Sequence, residues 1–209
     1  LNANGIKISR IAQMDRDEVQ RKTLSISENN SGQQSQISTL TTAMFDFDEK
    51  EFNKTLSINI LQLGMEQTTT QIIFPFLQHV GILWLGGSIH IAHEHFITNL
   101  IKQRMFVAID QVNVVPNSDA KKYLLFLPNG ENHELSLLFA SYLLRANGQH
   151  VIYLGTSTPL DDLNKIHKIH NPDFVFCVLT NSNAAMPVQV YLNTLSRSWP
   201  NTQIIVTGS

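Results

Sequence analysis

Residues 121–155 read KKYLLFLPNGENHELSLLFASYLLRANGQHVIYLG, and this stretch decides the fold. Residues 123–127 and 151–154 are short and almost wholly apolar. Runs without polar alternation read as strands covered on both faces, as in parallel sheets. Between them Leu135, Leu138, Phe139, Tyr142 and Leu143 recur at helical spacing, and Gly148 follows as a stop signal. Strand, helix and strand in that order make a parallel unit with a helical crossover. Working outward, 174–179 and 204–207 repeat the strand pattern with helical stretches between them. A doubly wound parallel sheet is therefore expected over 121–209. A helix would normally cover the sheet after 204–207, so the domain is expected to be truncated at its C-terminal end.

Open parallel sheets bind ligands beyond the carboxyl ends of their strands, near the point where strand order reverses. That directs attention to Pro128-Asn129-Gly130-Glu131-Asn132-His133, the loop after the first strand. An imidazole there can face a ligand. Glu131 can hydrogen-bond its other ring nitrogen and raise its basicity toward a metal. The same residues also read as an ordinary surface loop with a capping Glu and His.

Upstream, the pattern is helical from 36 to 114. Residues 36–45 form one helix. Phe52, Leu56, Ile60 and Leu63 line one face of the next, preceded by Asp48 and Glu51 as a start signal. A helix over 66–85 is expected to kink at Pro75. Gly86-Gly87 breaks the chain, and Ser88 is the expected cap of a long helix to 112, with Ile91, Ile97, Leu100, Ile101, Met105 and Ala108 as buried candidates. Short connections favour an antiparallel four-helix bundle. Residues 113–120 join it to the sheet. Residues 28–35, ENNSGQQS, read as a polar linker, and 1–27 stand apart as a short segment of mixed charge.

With 209 residues and 43% hydrophobic content, the chain can bury a core or two. A formal charge of −2 gives no global attraction to nucleic acid or an anionic membrane. One cysteine, Cys177, excludes an internal disulfide and fits a reducing, cytoplasmic setting. Residues 1–10 lack the form of a signal peptide, and 72–92 are too interrupted for a membrane span, so no membrane partner is expected. His90 and His93 have a spacing that can bind zinc, with His95 close by, but such spacing is commoner than such sites.

Glu131-Asn132-His133-Glu134-Leu135-Ser136 resembles the Asp/Glu-x-His-x-x-Gly signature of cobalamin-binding domains. The following 149–155, QHVIYLG, with Pro159, resembles that family's second strand and turn. Trp84, nine residues and then Glu94-His95 resemble the pattern of light-sensing, adenosylcobalamin-dependent repressors of the MerR type. Residues 1–12, LNANGIKISRIA, resemble the end of a MerR-type DNA-binding domain. The resemblance implies a bundle and a Rossmann-like domain that hold adenosylcobalamin or another cobalamin between them. It implies His133 as lower axial ligand to cobalt, Trp84 over the upper face, and Glu94 and His95 near the adenosyl group. Glu131, Asn132, Ser136, Leu154, Gly155, Val178, Thr180 and Gly208 are the remaining implied cofactor-binding positions. It further implies a non-enzymatic regulator that forms a homo-oligomer and reaches DNA through a domain preceding residue 1, of which 1–27 would be the remnant. Four positions depart from the family. Ser136 and Ser209 replace glycines, Val178 replaces a serine of the Ser-x-Leu pair, and Leu85 replaces the histidine that follows the Trp in known light sensors. Three other readings compete: a cofactor-free oligomerisation module, a corrinoid-using methyltransferase or mutase, and a zinc site.

Overall fold

The computed structural model describes residues 16–116, 118–180 and 187–208. The start that resembles a DNA-binding domain, residues 1–12, lies outside the described residues, as does Ser209. The chain divides into two compact units, with the boundary between Ile97 and Thr98.

The first unit opens with α1, Arg16–Phe45. Residues 28–35, expected as a linker, are helical and continue α1 without a break. Most polar residues cost a helix only tenths of a kcal/mol each, and an interior glycine such as Gly32 roughly 1 kcal/mol. The buried stripe just downstream, Ile37, Leu40, Ala43 and Met44, outweighs that cost. Gln33 also donates to Gln71 at 3.0 Å, tying this stretch to a later one.

The second helix, α2, spans Glu49–Thr68, and the Asp48 carboxylate accepts from Glu51 N–H at 2.9 Å as its cap. Its buried face carries Phe52, Thr55, Leu56 and Asn59. Asn59 donates to the Thr55 carbonyl and to Gln36 on α1. Gly64 interrupts the helix at φ 77°, ψ 166°. A π-helical turn, Thr69–Ile73, then leads into α3, Phe74–Leu85. The wide turn stands directly before Pro75, which has no N–H to offer the helix, so the irregularity expected at the proline precedes it. Phe52 meets Phe76 of α3 edge to face at 5.8 Å.

Gly87, at φ 69°, ends α3 in a closing turn where Ser88 N–H reaches the Leu83 carbonyl and Gly87 N–H the Trp84 carbonyl. The long helix α4 is Ile91–Asp110. Its start differs from expectation. Ser88 is spent in the turn before it. His90 holds the cap position, and its N–H donates to His93 Nδ1 at 3.1 Å, the return half of a capping box. Ile97, Leu100, Ile101 and Met105 are buried as expected, but Ile91, in the first turn, is exposed.

In the second unit come β1 Lys122–Pro128, α5 Leu135–Ala146, β2 His150–Thr158, α6 Leu160–His170, β3 Phe174–Val178, α7 Val188–Ser198 and β4 Gln203–Thr207. The strands are all parallel in the order β2-β1-β3-β4. Order reverses between β1 and β3, so the crevice beyond their carboxyl ends is the switch point. Leu124, Phe126, Val175 and Cys177 pack one face with Leu163 of α6 and Leu195 and Trp199 at α7. Leu125, Leu127 and Val178 pack the other with Leu137 of α5. The alternation along β1 feeds both cores, which is why that run shows no polar residue. The α plus α/β class read from the sequence is the architecture observed. Strand β2 runs four residues further than expected, to Thr158, with its pairing to β1 shifted beyond Leu125. No helix of the described residues is long and apolar enough to cross a membrane.

Candidate functional site at the switch point

Glu131 is the hub of the β1–α5 loop. Its side chain is 4% exposed, and five described donors converge on it. Oε1 accepts from Asn132 N–H at 2.9 Å, His133 N–H at 3.1 Å and His133 Nδ1 at 2.6 Å. Oε2 accepts from Thr180 N–H at 2.7 Å and the Thr180 hydroxyl at 2.9 Å. Burial alone would raise this carboxyl, but the bonds from His133 and Thr180 overcome it and hold its pKa down at about 2.

The arrangement fixes the tautomer of His133. Its Nδ1 faces a carboxylate, which only accepts, and the Thr180 hydroxyl at 2.7 Å, whose proton goes to Glu131. Nδ1 therefore carries the ring proton in the neutral imidazole, and Nε2 carries the lone pair. The side chain is 70% exposed, so that lone pair is open to a ligand. A metal-ligating histidine has this character: one nitrogen held by a carboxylate, the other free to coordinate.

Strand β2 braces the loop from the other side. Ser157, at φ 51°, donates from N–H to the Glu131 carbonyl at 3.3 Å and accepts Gly130 N–H on its hydroxyl at 3.1 Å. Gly155 is buried at φ 76°, against the Glu134 carboxylate. Gly208 lies against Leu179 so closely that an added Cβ would fall on the Leu179 carbonyl.

The other implied positions of this unit are distributed around the hub. Asn132 is exposed and gives the hub its backbone N–H. Ser136 is half-buried in the first turn of α5. Val178 is buried in the core on the α5 face, and Leu154 is half-buried against the opposite core. Thr180, another implied cofactor-binding position, donates its hydroxyl to Glu131 Oε2 and lies 2.7 Å from His133 Nδ1. No spacing rule ties residues 47 apart, so sequence gave no signal of this bond.

Trp84, Glu94 and His95 belong to the first unit. Trp84 is 48% exposed at the end of α3, beside Leu85 at 88%, so it is not the core residue that a bundle Trp commonly is. Glu94 and His95 pair with each other at 3.5 Å. Of the histidines near the start of α4, His93 is engaged: Nδ1 accepts the cap bond and the ring stacks on Phe47 at 4.7 Å. Its neutral ring thus holds its proton on Nε2 and offers a metal no free lone pair. Among the described residues, no three His, Cys, Asp or Glu side chains are arranged to hold a metal ion. Sequence reasoning also missed Lys102, Glu134 and Tyr153, which form an ion pair and a hydrogen bond directly after His133. Tyr153 had read simply as part of an apolar strand.

Comparison with known proteins gives three findings. Residues 36–108 match the family model described as B12 binding domain. The chain is similar to two proteins of Myxococcus xanthus: the HTH-type transcriptional repressor CarH, 25% identical over 154 residues and 74% of this chain, and the HTH-type transcriptional repressor CarA, 26% identical over 146 residues and 70% of this chain. It spans about half the length of these curated relatives, 50% and 48%. In fold it is similar to the Methanosarcina barkeri monomethylamine corrinoid protein, with a TM-score of 0.70 at 12% identity over 84% of this chain and 85% of that one. The helical segment 36–108 is thus similar to B12 binding domains, and the chain is similar in fold to a corrinoid protein.

Proposed function

We propose that the chain binds cobalamin, with His133 Nε2 as lower axial ligand to cobalt, and serves as the ligand-sensing part of a transcription regulator. The observation that carries this is the Glu131–His133–Thr180 arrangement, which presents an imidazole lone pair at the switch point of a parallel sheet. The donor set fits the group: a neutral imidazole backed by a buried carboxylate suits a cobalt centre. The similarity of residues 36–108 to B12 binding domains supports the reading, and the similarity to two repressors supports regulation over enzymatic turnover. When bound, the corrinoid supplies a cobalt centre that takes axial ligands and, in alkylated forms, a cobalt–carbon bond that light can break.

In this reading Glu131 keeps Nδ1 protonated and turns the ring, and Thr180 fixes Glu131. Trp84 offers an apolar plane, and Glu94 and His95 offer polar groups suited to ribose hydroxyls, which makes adenosylcobalamin the favoured form. DNA would be met through a segment outside the described residues, and corrinoid-controlled self-association would raise DNA affinity by avidity. The test is an absorption spectrum. Purified chain incubated in the dark with adenosylcobalamin and then desalted retains corrinoid bands, and illumination changes them. A spectrum indistinguishable from apoprotein overturns the reading. In that case size analysis showing self-association that ignores cobalamin favours the oligomerisation module, to which Ser136, Val178 and Ser209 point.

A further inference from the structure

The Glu131 hub turns the imidazole, but orientation alone does not set distance. Metal–ligand bonds tolerate only about 0.2 Å, so the backbone that carries His133 also has to be held. A second group of side chains sits where that restraint is needed. Glu134 directly follows His133 and stands at the N-cap position of α5. Its carboxylate is shared between two partners. Oε2 pairs with Lys102 Nζ of α4 at 3.0 Å, the two side chains only 24% and 13% exposed. Oε1 accepts from the Tyr153 hydroxyl of β2 at 2.8 Å. Gly155 leaves the room for this: a Cβ there would lie 3.4 Å from Glu134 Oε1. Burial and the neighbouring carboxylate push the Tyr153 phenol well above its ordinary range, so it remains a donor at neutral pH.

Three elements, α4, β2 and the start of α5, thus meet at the residue next to His133, and no member of the group belongs to the hub. A partly buried ion pair shared with a phenol is a more rigid tie than an exposed one, because its charges are poorly screened and each bond is charge-assisted. The geometry points to Lys102, Glu134 and Tyr153 as positioning residues, a clasp that fixes the place of His133 at the carboxyl edge of the sheet so that Nε2 reaches cobalt. The inference rests on the cobalamin reading and concerns how that site is held.

Electron paramagnetic resonance separates the two. The full chain is labelled with 15N-histidine and loaded with cob(II)alamin in the dark. The unpaired electron of cob(II)alamin is split into doublets by a 15N imidazole from the protein and into triplets by the cofactor's own 14N base. Wild type gives doublets. Lys102→Met and Tyr153→Phe each convert part of the signal to triplets or to an unsplit form and weaken cobalamin retention about tenfold. Lys102→Arg restores the doublets. Tyr153→Phe keeps the ring packing, so it remains informative if Lys102→Met folds poorly. Wild-type doublets that persist undiminished in Tyr153→Phe and Lys102→Met overturn the clasp alone. A wild type without doublets overturns the ligation by His133, and the clasp with it.

Discussion

Replacing Glu131 with Gln tests whether one buried carboxylate organises the switch-point loop. The folded protein holds this group at about 2 against an ordinary value of 4.5. The difference of about 2.5 units, at about 1.36 kcal/mol each, corresponds to about 3 kcal/mol of stability at pH 7. The side chain is 4% exposed, so solvent screening takes little from that figure. Because the folded value is depressed, the stabilisation is complete above pH 4.5 and is lost as pH falls toward 2. Linkage leaves about 1.4 kcal/mol of it at pH 3. Glutamine keeps the shape but turns an amide N–H toward either the Asn132 and His133 N–H groups or those of Thr180, so one set of donors loses its acceptor. Urea unfolding of wild type and Glu131→Gln at pH 7 and pH 3 measures the gap. The expected result is a gap of about 3 kcal/mol that shrinks by roughly 2 kcal/mol in acid. A gap below about 0.5 kcal/mol at pH 7, within the range of ordinary surface changes, or one that does not shrink, refutes the reasoning.

Thr180→Ala removes the hydroxyl bond to a charged acceptor and should cost about 1.5–3 kcal/mol in thermal unfolding, whereas Thr180→Ser should recover most of it. Gly155→Ala imposes a left-handed conformation on a side chain and crowds Glu134, so a loss of roughly 1–2 kcal/mol is expected by the same assay. His93→Ala leaves the His90 N–H without its cap acceptor and removes the stack on Phe47; chemical denaturation should register about 1–2 kcal/mol, with loss of helicity by circular dichroism. Burial pushes the Cys177 thiol up to about 12, so a thiol reagent at pH 8 should label the native chain only as fast as it unfolds; rapid labelling of native protein would contradict the placement.

The sheet was legible because β1 feeds two cores at once, and that burial removes every polar residue from the run. The helices were legible from periodicity, and Gly86-Gly87 marked a real break. Residues 28–35 were misread because composition carries local preference only, while the stripe from Ile37 to Met44 supplies the packing that keeps α1 continuous. Ser88 was misread because the α3 end turn consumes it first. At the site, Glu131 and His133 are close in sequence, and their pairing could be anticipated from chemistry. Thr180, Lys102 and Tyr153 reach the loop across long chain separations, and nothing local in their surroundings marks them as partners.

The hub joins the loop after β1 to Thr180, just beyond the end of β3, so under the proposed function the loop is already ordered when a corrinoid would bind. Little conformational entropy is then left to lose at the moment of coordination. Association with a corrinoid should accordingly be a single bimolecular phase whose rate scales with ligand concentration, without a plateau set by slow ordering of the loop.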